Sequence, residues 1–461
     1  RMTGSFRVDG LISGLDTSDI VSKYMQIERQ PIKQLENKKA TLNAKSDAWR
    51  EMNSRLYKLR DSAYDLQSIL TFRGKAVKNS NPELLSISAE NNALNSSYKI
   101  EVGKLAQAQS LASSNISVSS TEEALGLSGT LKITVNGVEK EITVDAEDTL
   151  QSLVQKINNT EEISVTASAI QVGTDEFKLT LTSKETGVAN QINIEGDLAG
   201  TLAFTETQAA QDAELKINGL TVTRSSNIIK DVIQGVTLEL KKAGESADIT
   251  VEMDQQKIVD TVKAFVTAYN SVMDYINQNT SYSYNEQAKK GSAGPLFGDS
   301  SLMSIQSQLK SYFSQAVSGV AEEVNQLAMI GIESASGIEG AKSGRIEFNE
   351  EKFLEKLDTY FDDITKLFGA KSDESVNGIF SRMYDYLFNA TGVDGFVTGK
   401  TNSLTAQIKD IDGRIADFEE RLEQKEKYYF AKFSAMEAAL AKIQNQANWL
   451  TAQLSALYTI K

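Results

Sequence analysis

Apolar residues follow a helical period at both ends of the chain and a strand period in its middle. After Pro31 they recur every seven positions, and a second set fills the complementary slot of the same repeat. Such an a/d repeat predicts a long helix with one apolar seam. Lys38 and Lys45 interrupt the second slot, so the first part of the seam is weakly specified. The seam positions that we assign to an interface are Leu35, Leu42, Trp49, Met52, Leu56, Leu59 and Leu66.

The C-terminal region carries the most regular repeat. Its apolar positions step by three and four, which predicts a second long helix with a one-sided stripe. Between Lys425 and Phe433 two successive steps of four form a stutter, where a supercoil should locally unwind. The interface positions assigned to this helix are Leu404, Ile408, Ile411, Ile415, Phe418, Leu422, Phe433, Met436, Leu440, Ile443, Leu450 and Leu454.

A long helix with an apolar stripe frays in water unless another element covers the stripe. The candidate companions are the helix at the other end of the chain and the equivalent helices of other subunits. Both alternatives lead to the same expectation, which is that the protein acts by assembly. We therefore predict that the two seams form an oligomer interface, as the legs of a larger structure.

Residues 75–251 change to a period of two, as half-buried strands do. Asn136-Gly137 and Asn218-Gly219 each separate two alternating runs, which is a strong signal for a β-hairpin. A short helix is predicted over 149–157, with Asp148 as its N-cap.

The helical period returns after residue 254, first over 258–276. Further helices are predicted over 302–313, 352–368 and 379–387, the second of them capped by Asn349 and stopped by Gly369. Residues 327–332 and 344–348 flank a turn rich in Gly and Ser and are predicted to form a hairpin.

Composition excludes most catalytic chemistry. The chain has 461 residues, and 48 Lys and Arg against 62 Asp and Glu give a net charge of −14. It contains no Cys and no His, which excludes disulfides, thiolate nucleophiles, imidazole bases and His or Cys metal sites. The acidic excess argues against a nucleic-acid partner, which would favour a basic surface.

Membrane and targeting signals are also missing from the pattern. No apolar run reaches the length of about 18 residues that a membrane span needs, so we predict no membrane insertion. Residues 1–27 lack an apolar stretch of signal-peptide length, and three aspartates interrupt them. We expect either a cytosolic protein or export by a route that reads no cleaved hydrophobic signal.

The remaining catalytic candidates are weak. Residues 395–401, Gly-Phe-Val-Thr-Gly-Lys-Thr, have three residues between the glycines where a phosphate loop has four. We interpret them as a turn before the C-terminal helix. The paired carboxylates at 350–351, 362–363 and 419–420 are interpreted as solvated helix faces. The sequence therefore predicts a protein that is not an enzyme and has no cofactor and no metal.

Several segments resemble one known family. Residues 10–32, which contain Gly-Leu-Ile-Ser-Gly-Leu-Asp-Thr-Ser-Asp-Ile-Val, and 45–53 resemble the N-terminal region of the bacterial flagellar filament cap family, also called hook-associated protein 2. Residues 98–113, 223–238, 414–422 and 433–443 match further stretches of that family, in the same order. Residues 129 to about 196 are similar to the small β module of flagellar hook-associated proteins. The chain carries Leu11-Ile-Ser-Gly14 where Leu-Ala-Ser-Gly is common in the family.

The resemblance implies a secreted, extracellular cap at the tip of the flagellar filament. Copies of the chain would form a ring, a pentamer by the same resemblance, that retains exported flagellin and promotes its folding and polymerisation. The implied partners are flagellin, the hook–filament junction protein, and the type III export apparatus with its chaperone. Seam residues alone leave the ring size open. The alternative is another axial flagellar protein, either the junction protein or flagellin.

Pattern and resemblance together predict an α+β fold, in which terminal helices form a coiled-coil leg and a helical bundle around two nested β-rich head domains. Residues 1–34 are assigned to a flexible N-terminal export and leg segment. The other predicted domains are an N-terminal heptad helix (35–74), a split β-rich domain (75–114 with 205–253), an inserted β-rich domain (115–204), a helical bundle with a hairpin (254–400) and a C-terminal coiled-coil helix (401–461).

Overall fold

The computed structural model describes residues 14–287, 289–370 and 377–458. The chain divides into two compact units, which we call the middle unit, Ile69–Val259, and the terminal unit, formed by the described residues before and after it. Helices and sheets are segregated along the chain, which confirms the α+β class.

The long helices lie towards the two ends of the sequence. Their bounds are α1 (Thr17–Glu28), α2 (Gln30–Gln67), α3 (Ile69–Phe72), α4 (Leu150–Asn158), α5 (Ala199–Leu202), α6 (Gln255–Thr280), α7 (Ser300–Ser311), α8 (Gly337–Ser343), α9 (Glu350–Thr359), α10 (Phe361–Phe368), α11 (Ile379–Thr391) and α12 (Phe396–Tyr458).

Most of the strands lie in the middle unit. Their bounds are β1 (Lys75–Asn79), β2 (Leu85–Ala89), β3 (Ser96–Lys104), β4 (Ser110–Ala112), β5 (Ile116–Ser117), β6 (Gly129–Val135), β7 (Val138–Val144), β8 (Val165–Gly173), β9 (Glu176–Ser183), β10 (Ile192–Glu195), β11 (Thr205–Gln208), β12 (Ala213–Ile217), β13 (Leu220–Arg224), β14 (Ile228–Ile233), β15 (Val236–Leu240), β16 (Ser246–Met253), β17 (Tyr282–Asn285), β18 (Lys290–Ala293), β19 (Ile332–Ser334) and β20 (Ile346–Phe348).

The middle unit contains two β-rich cores. The first lies between a five-stranded sheet of order β1-β16-β3-β12-β13 and a three-stranded sheet of order β14-β15-β2. The second is formed by the sheet β10-β6-β7, by the sheet β11-β4-β9-β5 with β8 on β9, and by α4. Strands far apart in sequence, such as β3 and β16, therefore pair in one sheet.

Both Asn-Gly hairpins are confirmed. β6 pairs with β7 around Asn136-Gly137, and β12 pairs with β13 around Asn218-Gly219. The two asparagines have φ of 50°, and Gly137 and Gly219 have φ of 78° and 84°. Positive φ at both central residues is typical of the type I′ turn, whose twist matches that of the flanking strands.

Three predicted boundaries are wrong. The N-cap of α4 is Thr149 rather than Asp148, because Thr149 and Ser152 exchange the two hydrogen bonds of a capping box. The helix predicted over 352–368 is two helices, since Tyr360 at φ −124° and ψ 36° leaves the helical conformation. The turn predicted over 395–401 lies mostly inside α12, which begins at Phe396.

The hairpin predicted from 327–332 and 344–348 is shorter than expected. Only β19 and β20 pair, in three residues each, because Leu327–Ile330 forms a 3₁₀ turn and α8 fills the connection. The caps predicted for the next helices are correct. The Asn349 side chain accepts a hydrogen bond from the Lys352 N–H at 3.0 Å, and Gly369 ends α10 at φ 87°.

Where the structure describes residues 1–34, they form α1 and the start of α2. α1 begins at the Asp16 cap, whose carboxylate accepts a hydrogen bond from the Asp19 N–H at 2.8 Å. Pro31 lies in the first turn of α2, where its missing N–H costs no helical hydrogen bond. Residues 1–13 lie outside the described residues.

Aromatic rings fill the core of the terminal unit. Phe380 meets Phe265 and Phe368 edge to face, each with centroids 4.7 Å apart. Tyr269 meets Phe313 at 4.9 Å. Edge-to-face packing of this kind adds to the burial of large apolar surfaces, so this core can hold α6, α7, α10 and α11 against one another.

Candidate assembly surface on the terminal helices

The N-terminal half of α2 packs against α12 along both predicted seams. Leu35, Leu42 and Ile411 are buried at this contact. Leu404, Ile408, Ile415 and Phe418 are partly buried around them. Lys39 forms an ion pair with Asp412 at the edge of the seam. α2 is therefore one companion of α12 within the same chain.

α1 continues the cover along α12 beyond α2. Val21 and Met25 of α1, with Ile32 at the start of α2, bury Leu422, and Phe433 and Ile415 are partly buried beside them. Tyr24 stacks on Tyr429 with centroids 5.6 Å apart, and Glu28 accepts from the Lys425 ammonium at 2.7 Å. These aromatic contacts lie at the predicted stutter, where the regular seam is interrupted.

The second half of α2 is enclosed by other helices of the terminal unit. Met52, Leu56, Leu59 and Leu66 are fully buried there. Trp49 is almost fully buried too, with the Lys400 ammonium 6.0 Å from its ring centroid. Arg55 donates to the Ser271 hydroxyl of α6 at 2.5 Å, and Tyr57 donates to the Thr391 carbonyl of α11 at 2.7 Å. The seam residues of α2 are thus core residues of their own chain, and their contact with other subunits stays a prediction.

The distal part of α12 behaves differently. Phe433, Met436 and Leu440 are half-buried. Ile443, Leu450 and Leu454 are 61%, 55% and 52% exposed, whereas Leu422 on the same seam is 5% exposed. Within the described residues, the seam therefore continues for several turns beyond the helices that cover it. Trp449 is exposed as well, next to this stripe.

Val21, Met25 and Ile32 are absent from the predicted interface, although they carry much of the contact with α12. Val21 and Met25 are four residues apart, which fits one face of α1. In the sequence, Asp16 and Asp19 interrupt any apolar stretch of signal-peptide length. The structure uses them as the cap and first turn of α1.

Electrostatics contribute little to this surface. The hydrogen bond from the Lys427 ammonium, at 2.6 Å, holds the pKa of the Glu423 carboxyl below its usual range. Likewise, the Asp19 carboxylate raises the pKa of the Lys23 ammonium. Both pairs are solvent-exposed neighbours on one helix, where salt and water screen the attraction. Apolar burial is therefore the main attraction that this surface offers.

No catalytic or metal centre is visible among the described residues. None of their acidic side chains form a group of three or more that could hold a metal ion. Lys400, the lysine of the near-miss phosphate loop, lies inside α12 and 3.9 Å from Asp299. In the described chain, no helix is long and apolar enough to cross a membrane.

Family models match most of the chain. The N-terminal model of flagellar hook-associated protein 2 matches residues 13–109, and its C-terminal model matches residues 210–445, just over half of the chain. A model of the flagellin hook IN motif matches residues 130–185 between them, which confirms the resemblance of this β module.

Individual relatives agree. The chain is 25% identical to the B-type flagellar hook-associated protein 2 of Pseudomonas aeruginosa over 474 residues, 97% of either chain. It is 28% identical to the flagellar hook-associated protein 2 of Salmonella typhimurium over 369 residues, 76% of this chain and 77% of the relative.

A solved structure supports the fold as well. The crystal structure of the D1-D2-D3 domains of the flagellar cap protein FliD from Escherichia coli superposes with a TM-score of 0.62 at 27% identity. The match covers 78% of this chain and 99% of that one. These matches confirm the resemblance found in the sequence and favour it over the alternative of a junction protein or flagellin. The chain therefore belongs to the flagellar hook-associated protein 2 family, whose solved members are flagellar cap proteins.

Proposed function

We propose that this protein caps the distal end of the flagellar filament, where it retains exported flagellin and promotes its folding and polymerisation. Family membership supports the location at the filament tip. The uncovered seam of α12 supports attachment to neighbouring subunits through this helix. Leu450 and Leu454 expose more than half of their surface, while the same seam is buried at Leu422. A helix seam that its own chain covers only in part is suited to bind neighbouring subunits reversibly.

Under this proposal the protein is a structural component and not an enzyme. It works outside the cell, in a ring of copies for which the resemblance suggests five. Its other partners would be the hook–filament junction protein and the type III export apparatus with its chaperone. Copy number can be counted directly in cryo-electron micrographs of filament tips.

The distal seam can be tested by charge substitution in a strain whose own gene is deleted. The double variant Leu450→Lys and Leu454→Lys removes two apolar seam positions and adds two charges. The matched control, Asn445→Lys and Ala452→Lys, adds the same charge to exposed positions on the opposite face of α12. Filament length and flagellin in the culture medium are measured for each strain.

We expect the deletion strain to release flagellin and grow no filaments. The seam variant should release at least tenfold more flagellin than the control, which should grow filaments of normal length. Normal filaments in the deletion strain would contradict the capping role. Normal filaments in the seam variant alone would contradict only the role of the distal seam.

A further inference from the structure

Apart from those on α1 and α12, the exposed aromatic side chains in the described part of the terminal unit lie at two places. The first, which we call the aromatic face, crosses α2 and α11 and comprises the exposed Tyr64 and Phe388 with the half-buried Tyr57 and Tyr384. Tyr64 and Tyr384 have centroids 5.5 Å apart, and Tyr384 and Phe388 have centroids 5.8 Å apart. Tyr64 and Phe388 each expose about half of their surface. The rings of Tyr64, Tyr384 and Phe388 form a continuous ladder on the surface of two packed helices, and the Arg60 guanidinium lies over the Tyr57 ring.

The contacts along the ladder show that α2 and α11 run antiparallel, because Tyr57 reaches Thr391 and Tyr64 reaches Tyr384. Acidic residues border the rings at Asp61 and Asp385, both exposed. Asp61 is paired with Arg60, whose Nη2 lies 2.7 Å from its Oδ1. Asp385 has no ion pair within the described residues. The aromatic face therefore has a rim with an uncompensated acidic charge.

The second place is the hairpin of β17 and β18. Tyr282 and Tyr284 are two residues apart on β17 and so point to the same face of the hairpin. They are 59% and 57% exposed, and Phe297 lies 6.0 Å from Tyr282. The Tyr282 ring lies across Gly291, where a Cβ would meet its hydroxyl at 1.9 Å. This glycine lets the ring lie flat on the hairpin.

The hairpin ends in a basic turn. Lys289 and Lys290 are exposed and form no ion pair with any described residue, while Glu286 is the acidic residue nearby. A two-stranded hairpin is marginally stable by itself. β17 and β18 pair only with each other among the described strands, and their tyrosines remain exposed. An aromatic partner surface would stabilise them.

We propose that the hairpin of one copy docks on the aromatic face of a second copy of this chain. Aromatic side chains are enriched at the centres of protein interfaces, and here both surfaces offer them. The basic hairpin tip is complementary to the acidic rim beside Phe388, which aligns the two surfaces in one direction. Contact between two different surfaces of identical chains is heterologous and can close into a ring.

The hairpin is too distant to occupy the aromatic face of its own chain. The Tyr275 hydroxyl donates to the Ala48 carbonyl at 3.1 Å, and Arg55 binds Ser271, so α6 runs antiparallel to α2. The end of α6 at Thr280 lies five residues after Tyr275, so it is about 7 Å past Ala48 along the helix axis, on the side away from Tyr57. The hairpin starts there. Tyr57 lies nine residues further along α2 from Ala48, about 14 Å in the other direction. The occupant is therefore another copy.

Cysteine cross-linking tests this contact without background, because the chain contains no Cys. Full-length Tyr284→Cys protein is mixed with full-length Phe388→Cys protein under mild oxidation, and the mixed disulfide is measured over time. A disulfide requires Cα atoms within about 7 Å. One control replaces Tyr284→Cys with Ser283→Cys, on the opposite face of the same strand. The other replaces Phe388→Cys with Ile338→Cys, a position 75% exposed on α8.

We expect the Tyr284 and Phe388 pair to cross-link at least tenfold faster than either control pair. Adding Asp385→Lys to the Phe388→Cys protein should slow the reaction, and adding Lys290→Asp to its partner should restore it. Equal rates for all pairs would overturn the proposal, as would a charge swap that fails to restore the rate. So would an intrachain disulfide that forms in the doubly substituted chain independently of dilution.

The inference rests on the proposed function only in requiring that copies of the chain meet. Its failure can be distinguished from failure of capping, because cross-linking is measured in purified protein and flagellin release in cells. If the Tyr284 and Phe388 pair cross-linked only as fast as the control pairs, and the deletion strain released flagellin, the hairpin contact would be overturned and the capping role would stand.

Discussion

The middle and terminal units use aromatic residues in opposite ways. The middle unit contains only four, Phe72, Tyr98, Phe177 and Phe204, and all of them are buried or half-buried. Every exposed aromatic side chain of the described residues lies in the terminal unit. Exposed large side chains of the middle unit, such as Leu220 and Val188, are aliphatic. The residues that dominate binding energy in protein interfaces are enriched in Trp and Tyr, so assembly contacts are expected to concentrate in the terminal unit.

The two units also differ in how completely their elements are covered. The sheets of the middle unit bury alternate residues along each strand, as in β6, where Leu131, Ile133 and Val135 are buried. In the terminal unit, by contrast, α12 loses its cover past Leu440. The distal part of α12 therefore retains apolar surface for a partner. Substitutions should therefore separate effects on folding from effects on assembly.

The largest effect is expected for Trp49→Ala, which empties a fully enclosed site in the terminal unit. Replacing a buried tryptophan by alanine costs about 3–5 kcal/mol of unfolding free energy. We expect faster amide hydrogen exchange in α2, α6 and α11, and unchanged exchange in β6 and β9. The matched control is Trp449→Ala, at a position 62% exposed, which should change the unfolding free energy by less than about 0.5 kcal/mol. Equal losses for the two variants would contradict the contrast between core and distal seam.

A cavity in the middle unit should give the converse result. Leu181 on β9 is fully buried in the second core, and Leu181→Ala is expected to cost about 2–5 kcal/mol. Hydrogen exchange should then accelerate in β8, β9 and α4 and remain unchanged in α2. Exposed Val172→Ala is the control on the neighbouring strand. Accelerated exchange in both units would show that the two units unfold together.

Sequence pattern located the two long helices and the strands because their apolar periods are local properties. It could not distinguish burial in the chain's own core from burial by another subunit, since Trp49 and Leu450 both lie on the apolar seam of their helix. Only tertiary contacts separate them: Trp49 is 1% exposed within the terminal unit, whereas Leu450 is 55% exposed. The role of the predicted interface residues as contacts between subunits therefore stays a prediction.

The pattern failed where a single residue decides the outcome. Tyr360 divides one predicted helix into α9 and α10, and Thr149 replaces Asp148 as the cap of α4. At Thr149 the capping-box hydrogen bonds with Ser152 make the choice. The aromatic face was equally hidden, because Tyr64 and Tyr384 are more than 300 residues apart in sequence and meet only through the antiparallel contact of α2 with α11.

The middle unit carries an acid-sensitive site at the start of α4. The Asp148 carboxylate accepts hydrogen bonds from the Asp145 N–H at 2.8 Å, the Lys156 ammonium at 2.5 Å and the Ser152 hydroxyl at 2.8 Å. These bonds, that from Asp145 first, hold the pKa of the Asp148 carboxyl below its ordinary value of 3.8. Its stabilising effect is therefore complete above pH 3.8 and is lost as the pH falls through the lower folded-state pKa.

We expect Asp148→Asn to destabilise the middle unit at neutral pH by about 1–3 kcal/mol, because hydrogen bonds to a charged group are lost. The difference from the unsubstituted protein should shrink below pH 4. Glu147→Gln removes the same charge from an exposed neighbour and is the control, with no loss expected. Thermal unfolding followed between pH 3 and pH 7 measures both variants. A difference that does not depend on pH would contradict the role of the carboxylate charge.

The smallest effect is expected in the aromatic core of the terminal unit. The Tyr269 side chain is fully buried, and its hydroxyl has no hydrogen-bond partner among the described residues. Burial alone raises the pKa of this hydroxyl, which stays protonated and unpaired. Tyr269→Phe removes an unsatisfied polar group and keeps the ring contact with Phe313. We expect unfolding free energy to stay constant or to rise by up to about 1 kcal/mol.

Tyr275→Phe is the matched control, since it removes a hydroxyl that donates to the Ala48 carbonyl at 3.1 Å. That loss should lower the unfolding free energy by about 1 kcal/mol, because a hydrogen bond between helices is broken. The two substitutions are chemically identical and lie on the same helix, six residues apart. Urea unfolding followed by far-ultraviolet circular dichroism should therefore move the two midpoints in opposite directions, or leave that of Tyr269→Phe unchanged. A loss at Tyr269 as large as that at Tyr275 would mean that its hydroxyl is satisfied within the core.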